Sequence, residues 1–172
     1  MRSLFALTAV LGLTVACNSP TSPTPGTITT GGFTTVILSR GTMSATVDGV
    51  RWTAAIPSGA TTTVAGSQGA LYISGLASGA SPFTPGLFMS ISGPLAVGSY
   101  SLDGSVPLAF SLSEGLNFRW SADTFRSGGA TLTLTTATAT RLVGTFSFTA
   151  VANTGTSPET RVVTNGAFDL SQ

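Results

Sequence analysis

Residues 33–172 predict an all-β fold, either an antiparallel β-sandwich or, as the alternative, a closed β-barrel, and three observations carry that expectation. Short runs rich in β-branched and aromatic residues recur along the chain. Glycine, proline or aspartate punctuates them about every eight to twelve residues. No window places its apolar residues at helical spacing.

The first element lies upstream of that domain. Residues 1–16 read as a secretory signal peptide: Arg2 supplies the positive end, residues 4–13 an apolar run, and small residues precede a cut. A transmembrane helix needs about 20 apolar residues, and Asn18-Ser19-Pro20 ends this run well short of that. The residues around the cut, Leu13-Thr14-Val15-Ala16-Cys17, resemble a bacterial lipobox, in which lipid is attached to the cysteine thiol and the bond between Ala16 and Cys17 is then cleaved. Thr14 stands where the motif usually has leucine. Thr14 and Ala16 also satisfy the small-x-small rule of ordinary secretion, which cuts the same bond and leaves a bare thiol.

Two observations favour the lipid. Cys17 is the one cysteine of the chain, so it has no partner for an intrachain disulfide, and acylation removes a reactive thiol. A single acyl chain holds a membrane only marginally, at ~0.8 kcal/mol per buried CH2, whereas the lipoprotein modification supplies more than one. The expectation is a lipoprotein exported by the general secretory route, palmitate-type lipid on Cys17, with the membrane as its partner through that lipid. Asn18, where an aspartate would signal retention, points to the outer membrane.

Residues 17–32 form a Ser/Thr/Pro/Gly tract without charge and almost without apolar content. Such a segment cannot bury enough surface to fold. Extended at about 3.1 Å per residue, it tethers the domain within roughly 45 Å of the lipid.

Removal of the first 16 of 172 residues leaves 156, enough for one domain. A domain of that size buries about two thirds of its unfolded surface and needs neither metal nor disulfide. Without Arg2 the mature chain has six arginines against six carboxylates, and lysine and histidine are absent. No basic face for nucleic acid and no polybasic cluster for anionic lipid can be assembled from these residues.

Within the domain the clearest element spans residues 43–56. Asp48-Gly49 is a two-residue turn tolerant of positive φ. It sets Val47 opposite Val50, Ala45 opposite Trp52 and Met43 opposite Ala54 on an inward face, with Ser44, Thr46, Arg51 and Thr53 outward. Further strands are expected at residues 61–65, 70–76, 87–92, 99–102 and 108–112, with a loop forced at Pro82-Phe83-Thr84-Pro85-Gly86. Then Leu116, Phe118 and Trp120 alternate with polar residues, as do Leu132 and Leu134 with Thr131, Thr133 and Thr135, and Phe146, Phe148 and Ala150 with Thr145, Ser147 and Thr149. Residues 161–170 close the domain, bulged at Asn165-Gly166.

The succession Thr46-Val47-Asp48-Gly49-Val50-Arg51-Trp52-Thr53-Ala54, Gly98-Ser99-Tyr100, Gly144-Thr145-Phe146-Ser147-Phe148 and Thr164-Asn165-Gly166-Ala167-Phe168-Asp169 resembles an uncharacterised family of β-rich lipoproteins from Gram-negative bacteria. The resemblance covers most of residues 43–170. It implies a cell-envelope location and an all-β fold, and it brings no activity and no site residues. Arg51-Trp52-Thr53-Ala54 also recurs as Arg119-Trp120-Ser121-Ala122, the pattern of a duplicated half-domain or of chance in a chain rich in Ala, Ser and Thr.

The residue inventory excludes most catalysis. Without histidine, and with its one cysteine at the N-terminal end, the chain offers no Ser-His-Asp or Cys-His arrangement and no ordinary zinc site. Without lysine there is no P-loop or Ser-x-x-Lys nucleophile. Carboxylate chemistry remains, because two acids about 5–9.5 Å apart suffice for glycoside hydrolysis. The candidates are Asp48, Asp103, Glu114, Asp123, Glu159 and Asp169, of which Asp48, Asp103, Glu114 and Glu159 read as turn residues. Trp52, Trp120, Tyr72 and Tyr100 are candidates for stacking on sugars, with both tryptophans expected inward. The Thr131, Thr133, Thr135 ladder resembles an ice-binding surface, although threonine is ordinary on a wet strand face. The reading is a non-catalytic binding or structural module without cofactor or metal, whose partner is a protein or glycan of the envelope. The alternatives are a barrel holding a small apolar ligand, lined by Phe88, Phe110 and Phe146, and a carboxylate glycoside hydrolase.

Overall fold

The computed structural model describes residues 27–30, 33–64, 67–77, 85–93, 95–114, 117–123, 128–153 and 160–172. Among them the fold is all-β, as expected. Its strands are β1 (Thr27–Thr30), β2 (Phe33–Leu38), β3 (Arg40–Val47), β4 (Val50–Val64), β5 (Ser67–Ala77), β6 (Pro85–Ser92), β7 (Gly98–Ser101), β8 (Leu108–Glu114), β9 (Asn117–Ala122), β10 (Ala130–Ala137), β11 (Arg141–Ala152) and β12 (Thr160–Ser171). Eight of them, β3, β4, β5, β6, β8, β9, β11 and β12, each pair antiparallel with the next, and β12 returns to β3. The result is a closed up-and-down barrel. Of the two architectures considered, closure prevails over the open sandwich because β12 pairs along β3, from Val163 opposite Val47 to Ser171 opposite Arg40. That joins the first and last strands of the ring.

The Asp48-Gly49 turn forms as its residue types dictate, with φ of 48° and 83°, and it sets Val47 opposite Val50 and Ala45 opposite Trp52. Two details differ from expectation. Val50 is 70% exposed, because it sits beside the turn at the barrel rim. Met43 does not pair with Ala54; it lies opposite Phe168, and Ala54 lies opposite Ala77. The hairpin splays there and closes again in the same register, since Leu38 meets Gly59 and Phe33 meets Val64. Gly41 permits the bend. Its φ is 123°, and a Cβ at that position would run into the Asp169 carbonyl oxygen. Pro57, which has no N–H to donate, falls in the stretch of β4 that has a partner on the β5 side alone. The run expected at 61–65 is therefore the far half of one long strand.

Four strands lie outside the ring. β2 and then β1 extend the sheet beyond the far half of β4. A strand at Thr27–Thr30 thus lies inside the tract expected to be a tether: Thr-Ile-Thr-Thr has the β-branched composition to fill the free edge of β2. Residues 17–26 lie outside the described residues. β10 pairs with β11 on one side and β7 on the other. The ring closes between β9 and β11 through Ser121 opposite Val151 and Trp120 opposite Ala152, so this seam is short and β10 continues the edge of β11 beyond it. The two Arg-Trp pairs noted in the sequence fall on β4 and β9, half a ring apart.

The interior is occupied by the barrel's own side chains. Trp52, Trp120, Met43, Leu71, Ile73, Leu87, Met89, Leu132 and Leu170 are all buried. A column of rings crosses it, with Phe110 stacked on Phe148 at 4.7 Å between centroids, Phe148 at 6.4 Å from Phe146, and Phe146 at 6.3 Å from Phe168. Packing is close enough that a Cβ on Gly75 would lie 2.7 Å from both Met43 Sδ and Trp52 Cη2. An eight-stranded barrel is the size that side chains can just fill.

Candidate functional site

With the side chains named above packed inside the barrel, the outward positions are the surface that the described residues present. Alternation along each strand decides them: Leu87, Met89 and Ile91 point inward and are buried, so Phe88 and Ser90 stand on the outer wall. On β5 the same alternation buries Leu71 and Ile73 and exposes Tyr72 by 54% and Leu76 by 51%. Phe88 is therefore not in the interior. The expectation that Phe88, Phe110 and Phe146 line one cavity is corrected: the latter two are buried in the ring column and Phe88 is outside the barrel wall.

Cross-strand register arranges these outward residues into rows. Ser58, Ser74, Phe88, Ser111 and Ser121 lie opposite one another in turn across β4, β5, β6, β8 and β9. The neighbouring row runs Ala60, Tyr72, Ser90 and Ala109. Ser58 Oγ and Ser74 Oγ share a hydrogen bond of 2.7 Å. Tyr72 and Phe88 are diagonal neighbours on one face, a relation in which aromatic side chains reach each other's surroundings. Between them lies a shallow groove of about 300 Å³ lined by Tyr72, Ser74, Phe88, Ser90, Ala109 and Ser111. None of the side chains in the two rows is ionisable near neutral pH.

The opposite wall carries hydroxyls. Thr131, Thr133 and Thr135 project from β10, as the alternation predicted, while Leu132 and Leu134 are buried. Thr131 Oγ1 lies 3.0 Å from Ser147 Oγ, and Thr133 Oγ1 lies 2.9 Å from Ser99 Oγ, so these hydroxyls bond one another. A depression of about 490 Å³ runs beside them to the Asn165 bulge, where Asn165 has φ 52°.

No family model, curated protein or solved structure matches the chain.

The carboxylates sort into structural roles. Asp48 pairs with Arg161 at 2.7 Å and Asp169 with Arg141 at 2.8 Å. Asp48 contacts Val162 and Asp169 lies seven positions further along β12, roughly 23 Å at about 3.3 Å per residue, so these two acids do not flank one bond. Asp103 is held below its ordinary pKa chiefly by a hydrogen bond from the Ser101 hydroxyl, in the turn after β7. Asp123 follows β9 and is half-buried. Glu159, Ala16 and Cys17 lie outside the described residues, as does the Glu114 side chain. Among the described residues no group of three His, Cys, Asp or Glu is placed to hold a metal ion.

The aromatic candidates divide likewise. Trp52 and Trp120 are buried, the inward placement their strands predicted. Tyr100 is tied down: its hydroxyl donates to the Ala96 carbonyl at 2.6 Å and accepts the Ala96 N–H at 2.9 Å. Tyr72 alone of the four stands on an open surface. Its partner Phe88 was not singled out as outward, although the Leu87-Phe88-Met89 alternation carries that signal. Arg161, which meets Asp48 and lies 4.7 Å over the Trp120 ring, had no local signal at all.

Proposed function

We propose that the chain is a non-catalytic binding module, held at the bacterial envelope by lipid on Cys17, whose ligand engages the outer wall of the barrel. One observation carries the choice of outer wall: the ring column Phe110, Phe148, Phe146, Phe168 and the two tryptophans occupy the space that a ligand-holding barrel keeps open. The apolar run of residues 4–13, the lone Cys17 and the uncharged tract after it support anchorage in the outer membrane. Such a module needs only surface and reach. The ten residues from Cys17 to the start of β1 at Thr27 reach at most roughly 30 Å at about 3.1 Å per residue. The barrel then works close to the lipid surface.

The test is titration of the native protein with an apolar fluorescent dye of small-ligand size. The proposal expects no saturable binding below the unfolding transition. Stoichiometric binding to the native fold, lost when Phe148 is enlarged to Trp, would return the ligand to the interior and overturn the outer-wall reading.

A further inference from the structure

We infer that the barrel wall opens at the β9–β11 seam, the β8–β9 hairpin swinging on β6 as a flap while the rest of the ring stays folded, and that Arg161 is its latch. The inference stands apart from the lipid and from the outer-wall reading.

It begins with register. Phe110 pairs with Ala122 at the end of the β8–β9 ladder, and Ser101 pairs with Thr131 at the start of the β7–β10 ladder. From one pair to the other each chain moves nine residues, 110 to 101 and 122 to 131, so the two ladders share one register. β7 with β8, and β9 with β10, are therefore two barrel strands, each interrupted. The residues between them bond elsewhere: the Gly104 N–H donates to the Ser101 carbonyl at 3.0 Å, the Ser92 N–H to the Pro107 carbonyl at 3.0 Å and the Thr149 N–H to the Gly129 carbonyl at 2.8 Å.

The interruption divides the wall. β8 is laddered to β6 from Pro85–Glu114 to Ile91–Leu108, whereas β10 is laddered to β11 from Ala130–Phe148 to Ala137–Leu142. Across the division the β9–β11 ladder has two pairs, Ser121 with Val151 and Trp120 with Ala152. The opposite closure, β12 on β3, runs from Val163 to Ser171. Side chains complete the seam: Phe110 of β8 stacks on Phe148 of β11, and Leu132 of β10 meets Leu71, Ile73, Met89 and Ile91 around one small interior gap. Such packing, unlike a ladder, is given up locally when a flap with few backbone bonds moves.

The latch comes from a third strand. Arg161 on β12 lies directly opposite Ala150 on β11, and past that small side chain its guanidinium reaches the Trp120 ring on β9, 4.7 Å from the centroid. Asp48 holds the same guanidinium at 2.7 Å. An open flap bares Phe110, Trp120 and Phe148 and frees the facing edges of β9 and β11, which are then able to pair with another chain.

The experiment is amide hydrogen exchange of the native chain, read by mass spectrometry across a urea series below the unfolding transition. Peptides covering β9 and residues 149–152 exchange at least about tenfold faster than those covering β5 and β6, and their exchange depends less on urea, as expected of an opening that exposes little surface. Arg161→Met speeds β9 about fivefold more than it speeds β5 and β6, the scale of one cation–π contact. Ser121→Cys combined with Val151→Cys places two thiols at directly opposed positions within disulfide reach. Its oxidised form slows β9 to the rate then shown by β5 and β6, and dithiothreitol restores the difference.

Equal rates and equal urea dependence for β9, β5 and β6 in the native chain overturn the inference. So does a cross-link that slows all three by one factor, because the seam then opens only in global unfolding. Equal acceleration of all three by Arg161→Met removes the latch.

Discussion

Asp48 and Arg161 stand 113 positions apart in sequence and meet as an ion pair of 2.7 Å. Asp48 also accepts the Val162 N–H at 2.8 Å through its other oxygen, and its own N–H donates to the Val162 carbonyl at 2.8 Å. One turn residue thereby fastens the β3–β4 hairpin to the start of β12. The Arg161 guanidinium continues the link by lying 4.7 Å over Trp120 on β9, next to the short seam where β9 meets β11. Four strands of the ring are gathered at this end.

Breaking that relationship is expected to loosen barrel closure. Asp48→Asn keeps a residue that tolerates φ 48° and can still accept the Val162 N–H, so it costs about 1 kcal/mol or less, the range of a partly exposed ion pair. Asp48→Ala loses the acceptor and forces alanine into the left-handed region, costing about 2–3 kcal/mol. A double-mutant cycle of Asp48→Asn with Arg161→Met by urea unfolding gives a coupling of about 0.5–1 kcal/mol. Strict additivity would show that the pair is not coupled.

The two phenylalanines on β11 and β6 should respond oppositely to truncation. Phe148 stacks between Phe110 and Phe146 in the interior, so Phe148→Ala leaves a cavity and costs about 3–5 kcal/mol. Phe88 lies on the outer wall, and Phe88→Ala costs about 1 kcal/mol. Equal losses in the two urea midpoints would mean that Phe88 is part of the core.

Acid should weaken one specific link. The Arg141 guanidinium donates from Nε to Asp169 Oδ1 at 3.0 Å and from Nη2 to Oδ2 at 2.8 Å, which holds the Asp169 carboxyl below its ordinary 3.8. A carboxyl lowered in the folded state adds stability above its unfolded pKa and loses it as pH falls through the lowered value. The urea midpoint of the native sequence therefore drops more steeply below about pH 4 than that of Asp169→Asn. Because both groups are exposed, the difference shrinks in about 1 M salt. Parallel pH profiles would dissociate Asp169 from acid stability.

Local chemistry made most strands legible in the sequence, and nonlocal pairing did not. Asp48-Gly49 with Ala45 opposite Trp52 followed from turn residues and alternation, and so did the bulge at Asn165-Gly166, which the register shift between Thr164 and Ala167 places there. The closure of Ser171 against Arg40 joins the two ends of the domain, and no local pattern encodes it. The sequence pattern divides β4 into a piece ending at residue 56 and another at 61–65, whereas the strand runs unbroken from Val50 to Val64, with Pro57 where one edge has no partner. Tyr72 was visible as a candidate for stacking. Its pairing with Phe88 needed the β5–β6 register, in which Ser74 faces Phe88 and Tyr72 faces Ser90.

The central claim is that this barrel is carried on a lipidated cysteine, and the intact mass of the mature N-terminal peptide tests it most directly. The account predicts a chain that begins at Cys17, bears thioether-linked diacylglycerol and a further acyl chain, and is recovered from the membrane fraction. A chain that begins at Cys17 with a free thiol and is recovered from the aqueous fraction contradicts it.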